Sequence, residues 1–259
     1  MNYLEELYSL DHQTAVVIGG GGVLAGCMAE GLAKAGADIV ILDLNLENAR
    51  KNADELKKFK VKTSAIKVDA SSKTDLENAA EQIVKEFGAV NIVINAPGIN
   101  SATPFLDISE EEYEKIMKVN LKSMFLSCQI FGNRMIEQGS GGSIINISSV
   151  SSGPPLSRVF TYSLSKAGVN NITQFLAKEW APHKIRVNAL APGFFPAEQN
   201  RKILTQDRID SIFKHTPMNR FGDPQELVGA TIWLASEKAS SFVTGAVIRV
   251  DGGFTAMTI

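Results

Sequence analysis

Tyr162 and Lys166, in "YSLSK", set a phenol and an ammonium four residues apart. On a helix that spacing puts both on one face. A phenol titrates near 10, too high for a general base at neutral pH, so it needs neighbouring positive charge to favour its ionised form. Of the four tyrosines, Tyr162 alone has a lysine at that offset. The pair by itself also fits two exposed side chains on a helix surface. Thirteen residues earlier, Ser149 follows the apolar run "SIINIS". A hydroxyl at the carboxyl end of a strand could stabilise charge developing on a substrate oxygen. Asn120 interrupts an apolar helical pattern in "KVNLKS", which suits a site residue or a satisfied core amide.

A second group lies near the start. Gly19–Gly22 follow "TAVVI" and lead into "AGCMAEGLAKAGA". Glycine amides can approach a pyrophosphate closely, and the following helix N-terminus adds positive potential. Asp43 ends the next strand-like run, 24 residues after Gly19, where a carboxylate can accept hydrogen bonds from an adenosine ribose diol. No Arg or Lys occupies 20–26 or 44–46 to meet a 2′-phosphate, so the pattern favours NAD over NADP. A tight turn with Asp43 as a helix cap is the simpler alternative. Val23 is β-branched and resists φ > 0. Gly21 and Gly22 are therefore expected to supply the flexibility of the turn, leaving Val23 in an ordinary conformation and Leu24 to anchor the helix start.

The elements that must position these groups alternate. Short β-branched runs at 14–18, 38–43, 63–68, 91–95, 143–148, 186–191 and 246–250 read as strands. Helical periodicity separates them, at 24–35, 46–58, 73–87, 110–138, 160–180 and 223–235. Ser109 with Glu112 reads as a capping box, and Asp223 before Pro224 as a helix start. Strict alternation predicts an α/β fold: a doubly wound parallel sheet of about seven strands with helices on both faces, one domain over 1–259. Residues 192–222 break the pattern with several prolines and a short helical stretch near 198–213, which reads as a substrate lid.

Composition narrows the partners. The chain has 259 residues, 44% hydrophobic and 21% charged, with a formal charge of −2. That offers no electrostatic footprint for nucleic acid. No apolar run is long enough to span a membrane, and "MNYLEELYSLDHQ" lacks a signal-peptide layout, so a cytoplasmic protein is expected. Cys27 and Cys128 read as two buried thiols, and the three histidines show no metal-ligand spacing.

Taken together these residues resemble the short-chain dehydrogenase/reductases over nearly the whole chain. The resemblance rests on the Gly19 loop, Asp43, Asp69 in "VDA", "NAPG" at 95–98, Asn120, Ser149, Tyr162 with Lys166, Pro192-Gly193 and the late "VDGG". It implies a Rossmann-type fold and hydride transfer between a nicotinamide and a secondary alcohol or ketone. Tyr162 would be the acid/base and Ser149 would hold the carbonyl oxygen. Lys166 would bind the nicotinamide ribose and depress the Tyr162 pKa, and Asn120 would hold a water in a proton relay. Asp69 with Ala70 would meet adenine. Asn95, Ala96, Pro97, Pro192, Gly193 and Phe195 would line the cofactor. Three sites depart from the family pattern. Ile18, Val23 and Ala25 replace the loop's Thr and its second and third Gly, Ala96-Pro97 stands within the N-N-A-G motif, and Ala197 replaces a Thr.

The segment from "APGFFP" to "DGGFTA" (191–256) and "GGGGVL" are most similar to a mannonate oxidoreductase (fructuronate reductase) subgroup, which implies a small-molecule sugar-acid substrate. Ser151, Arg158, Gln199, Asn200 and Arg201 are candidate substrate contacts, since an arginine can clamp a carboxylate bidentately. Another polyol, a deoxy-keto sugar acid or a 3-oxoacyl thioester are alternative substrates. A non-catalytic NAD-binding subunit is the alternative outside enzymes. By resemblance the protein is expected to form a homotetramer through helices 110–138 and 160–180.

Overall fold

The computed structural model describes residues 2–196 and 205–257. The apolar runs form β1 Thr14–Ile18, β2 Asp38–Asp43, β3 Thr63–Lys67, β4 Ile92–Asn95, β5 Gly142–Ile147, β6 Ile185–Pro192 and β7 Val247–Val250. They make one sheet in the order β3-β2-β1-β4-β5-β6-β7, parallel throughout. Side chains alternate across a strand, so Val16 and Ile18 of β1 enter the core on one face while Ala15 and Val17 enter the other. Burial on both faces is why β1 is apolar from Ala15 to Ile18, and why the two polar side chains of β6, Arg186 and Asn188, are hydrogen-bonded inside the core. This is the doubly wound α/β architecture expected from the alternation.

The helices are α1 Tyr3–Tyr8, α2 Val23–Lys34, α3 Leu46–Leu56, α4 Lys73–Phe87, α5 Glu110–Met117, α6 Ser123–Gln138, α7 Phe160–Trp180, α8 Gln206–Lys214, α9 Val228–Ala235 and α10 Glu237–Ser240. The helix expected over 110–138 is not continuous. A π-helical turn at Lys118–Lys122 separates α5 from α6, with the Ser123 amide reaching back five residues to the Lys118 carbonyl. Such an inserted residue turns a side chain off the regular face, and here that side chain is Asn120. The capping box at Ser109 is half made. Its hydroxyl accepts from the Glu112 amide at 3.1 Å, but the Glu112 carboxylate accepts from Thr103 Oγ1 at 2.8 Å instead of returning to the cap. Asp223 and Glu226 do complete a box, around a 3₁₀ turn that leads into α9. Of the two thiols, Cys128 is buried and Cys27 only half-buried. Among the described residues no helix is long and apolar enough to cross a membrane.

Strand order reverses between β1 and β4, and a doubly wound sheet opens a crevice at the carboxyl ends there. Ile18 lies between Leu42 and Asn95, and the Ala96 amide donates to the Ile18 carbonyl at 3.0 Å. The ends of β1, β2 and β4 therefore share one rim.

Candidate active site

The glycine run sits on that rim, and its members are not equivalent. Gly19 takes the left-handed conformation, φ +76°, and a Cβ there would come within 3.0 Å of the Pro97 nitrogen. Gly20 is packed against Ile41, and a Cβ at Gly21 would lie 2.8 Å from Asp43 Oδ2. Gly22 has φ −78° and caps α2, so Val23 becomes the first helical residue at an ordinary φ and Leu24 packs against the core. The expectation for Val23 and Leu24 matches this geometry. The one for Gly21 and Gly22 does not: Gly19 makes the turn, Gly20 and Gly21 supply space, and Gly22 is extended.

Asp43 ties the loop to β2. Its Oδ2 accepts from the Gly21 amide at 2.9 Å and its Oδ1 from the Asn45 amide at 2.8 Å. Across the crevice, Asp69 Oδ1 accepts from the Ser71 amide and hydroxyl at 2.9 and 2.7 Å. Those bonds, helped by Lys118 and Lys122, hold its carboxyl below the usual range. Asp43, Asp69, Ala70, Ala96 and Pro97 line one cavity of about 410 Å³. Sheet register also sets Lys67 beside Asp43, which local sequence spacing around the loop did not reveal. Asn95 goes elsewhere. Its amide donates to Asn146 Oδ1 at 2.8 Å and its oxygen accepts from Ser127, all within the core, so β4 contributes Ala96 to the cavity and not the Asn95 side chain.

Gly19, Gly22, Ala96, Gly98 and Ile99 also line a second cavity of about 770 Å³, so the two form one continuous crevice. Ser149, Tyr162 and Lys166 meet in this second part. Lys166 is 2% exposed. Its Nζ donates to the Ile147 carbonyl at 2.7 Å and lies 5.7 Å from the centre of the Tyr162 ring. Burial pushes its ammonium down to about 8. Burial also raises the Tyr162 phenol, and a hydrogen bond with Ser149 opposes that rise. The influence that opposes burial here comes from Ser149, not from Lys166. Ser149 Oγ accepts from the Ser151 amide at 3.2 Å and the Ser151 hydroxyl at 3.1 Å. A hydroxyl with both acceptor sites filled is left with its proton to donate.

Asn120 is fully buried. Its Oδ1 accepts from the Ile99 amide at 2.8 Å, and its Nδ2 donates to the Ile99 carbonyl at 2.9 Å and to Ser165 Oγ at 3.1 Å. Both N–H donors are engaged by protein, so the side chain fixes Ile99 over the crevice.

The candidate substrate residues separate. Ser151 is buried behind Ser149 and supports it from there. Arg158 has φ +65° and is exposed, and the neighbours that line the cavity are Leu156 and Val159. Gln199, Asn200, Arg201 and Ala197 lie outside the described residues. Gly193 and Phe195 line the cavity, whereas Pro192 is buried at the end of β6. Among the described residues, the arginine that lines the cavity is Arg208, on the first turn of α8. Its distance in sequence from the Tyr162 motif hid it.

Comparison with known proteins agrees with this geometry. Residues 22–255 match a family model described as enoyl-(acyl carrier protein) reductase. A 2-dehydro-3-deoxy-D-gluconate 5-dehydrogenase from Dickeya dadantii is 36% identical, over 96% of this chain and 98% of that protein. A Haemophilus influenza protein assigned as a D-mannonate oxidoreductase, with NAD bound, superposes with a TM-score of 0.94 at 35% identity, covering 98% of this chain and 99% of that one. A gluconate 5-dehydrogenase from Burkholderia cenocepacia, in complex with NADP and tartrate, superposes at 0.93 with 33% identity over 99% and 100%. With sheet order, crevice and sequence in agreement, the chain belongs to the short-chain dehydrogenase/reductase family and is an oxidoreductase acting on CH–OH groups.

Proposed function

We propose that the protein interconverts a secondary alcohol and a ketone on a sugar acid of the gluconate or mannonate type, with NAD as hydride carrier. The observation that carries this reading is the continuity of the glycine-walled crevice with the cavity that holds Tyr162, Ser149 and Lys166. The crevice suits a dinucleotide. Gly19, Gly22 and Gly98 present backbone without side chains along its wall. Lys166 has three N–H donors and spends one on the Ile147 carbonyl, which leaves donors for a ribose diol. Asp43 would accept from the adenosine ribose and Asp69 would meet adenine, since both line the crevice. The substrate class is supported by the reactions for which the relatives are named.

The bound nicotinamide supplies hydride acceptance or donation. The chain's residues handle the proton. Tyr162 Oη takes the proton from the alcohol during oxidation and returns it to the ketone oxygen during reduction. Ser149 donates to that same oxygen, stabilising the charge that develops on it. Because burial holds the phenol protonated, its readiest role is as the acid in reduction. Ionisation for oxidation requires the nearby positive charges of Lys166 and the oxidised nicotinamide. Below pH about 8 Lys166 keeps its charge, so both contributions are then present.

Tyr162→Phe tests the assignment. Cofactor binding, followed by NADH fluorescence, should stay within about threefold, while turnover of sugar acids followed at the NADH absorbance should fall by roughly 10³-fold or more. Near-normal turnover would defeat the assignment, and wild-type protein that binds NAD yet turns over no sugar acid or polyol would favour a non-catalytic subunit.

A further inference from the structure

The geometry points to Arg208 as the residue that recognises the substrate carboxylate, an inference that rests on the sugar-acid reading above. The catalytic cavity is largely apolar, with walls that include Leu24, Val150, Leu156 and Phe195. Among the described residues that line it, the charged ones are Lys166 and Arg208, and no carboxylate joins them. Lys166 lies beneath Gly98 with its Nζ on the Ile147 carbonyl, committed to the cofactor side. That leaves Arg208 as the cation on the substrate side among the described residues.

Its placement is specific. Thr205 caps α8 by accepting from the Arg208 amide, which fixes the start of the helix. Arg208 Nη1 donates to Ser157 Oγ at 3.1 Å, across the cavity mouth to the loop that precedes the Tyr162 helix. No acidic side chain of a described residue lies within 4 Å of the guanidinium, and Asp207 and Asp210 are exposed and do not line the cavity. A guanidinium has five N–H donors in a planar fork. One is used, so a parallel pair stays free for a carboxylate. Arg208 thus does the job that Arg158 cannot do from its exposed, left-handed position. A carboxylate anchored at α8 would orient a sugar acid with its far carbons toward Tyr162 and Ser149. The uncharged polyol of the same chain length has no group for this contact.

The test compares Arg208→Gln, Arg208→Lys and Ser157→Ala with wild type. The substrates are D-gluconate and D-mannonate set against glucitol and mannitol, with NAD saturating. The clamp predicts that Arg208→Gln lowers kcat/KM for the acid substrates by roughly 30- to 1000-fold, mostly through KM, and leaves the polyols within about threefold. Arg208→Lys keeps a point charge without the fork and should lose about tenfold on the acids. Ser157→Ala should lose less than that. Thermal melts and NADH binding confirm that each variant is folded. Acid turnover in Arg208→Gln within threefold of wild type overturns the clamp. So does an equal loss on acids and polyols, which would mark a structural role, and in both cases the sugar-acid reading survives. Wild type that turns over polyols but neither acid overturns that reading and the clamp with it.

Discussion

Lys166 carries a charge the fold would hold more cheaply as an apolar group, and the size of that penalty can be worked out. Burial lowers its pKa from 10.5 to about 8, which corresponds to roughly 3 kcal/mol against the ammonium at pH 7. Lys166→Met removes the charge at similar length and forfeits the 2.7 Å hydrogen bond to the Ile147 carbonyl, a loss of about 1 kcal/mol. The variant should therefore be about 2 kcal/mol more stable than wild type at pH 7. The sign with pH follows from proton counts. Between pH 8 and 10.5 the unfolded lysine stays protonated while the folded one has lost its proton, so wild-type stability rises with pH across that window. From pH 7 to 9.5 this contributes about 2 kcal/mol, and the gap between the two proteins should nearly close. Urea unfolding at fixed protein concentration, followed by the fluorescence of Trp180 and Trp233, measures the gap directly. A gap that stays constant over pH 7 to 9.5, or a variant less stable than wild type throughout, would show that the buried ammonium is not penalised. The variant should also bind NAD poorly, since the charge is retained for function at a cost in stability.

The sheet was legible because burial on both faces demands unbroken apolar, β-branched runs, and those stand out in the chain. The proposed catalytic set was legible for a related reason: Ser149 lies just past a strand end, and Tyr162 and Lys166 share one helix face. What spacing could not supply is the direction in which a residue faces. Asn95 ends β4 much as Asp43 ends β2, yet register pairs it with Asn146, and the two amides satisfy each other inside the core. A hint existed in the matching asparagines of "NIVIN" and "SIINIS", since aligned parallel strands place equivalent ends side by side. Asn120 read equally as a core amide or a site residue. The π-helical turn around it is a tertiary response, and residue propensities do not encode it. Arg158, one of the candidate substrate contacts, is exposed on a left-handed backbone. Arg208 reaches the cavity through helix placement and Lys67 comes beside Asp43 through strand register, neither of which local sequence records.

The remaining predictions concern the cofactor crevice. Asp43→Ala should weaken NAD binding by about 10- to 100-fold, the value of losing a charge-assisted hydrogen bond, and raise the NADP to NAD ratio of kcat/KM by at least about tenfold because Lys67 stands beside the site. An unchanged ratio, measured at the NAD(P)H absorbance, would remove Asp43 from cofactor choice. The glycines make the sharper case. An added Cβ at Gly21 would lie 2.8 Å from Asp43 Oδ2 and 3.0 Å from the Asn48 Cβ, so Gly21→Ala must push the carboxylate away and break the amide bond that it accepts. Both the melting temperature and NAD affinity should fall. At Gly22 the backbone is ordinary, φ −78°, and the nearest atom to an added Cβ is the Gly19 carbonyl at 3.4 Å. The fold should tolerate Gly22→Ala to within about 0.5 kcal/mol. Yet Gly22 lines both parts of the crevice, so its new methyl would enter the space assigned to the pyrophosphate. Loss of NAD binding without loss of stability, by calorimetry and thermal melt, is the expected signature. Wild-type affinity in Gly22→Ala would move the phosphates off this loop, because a methyl in van der Waals contact with them would otherwise be felt.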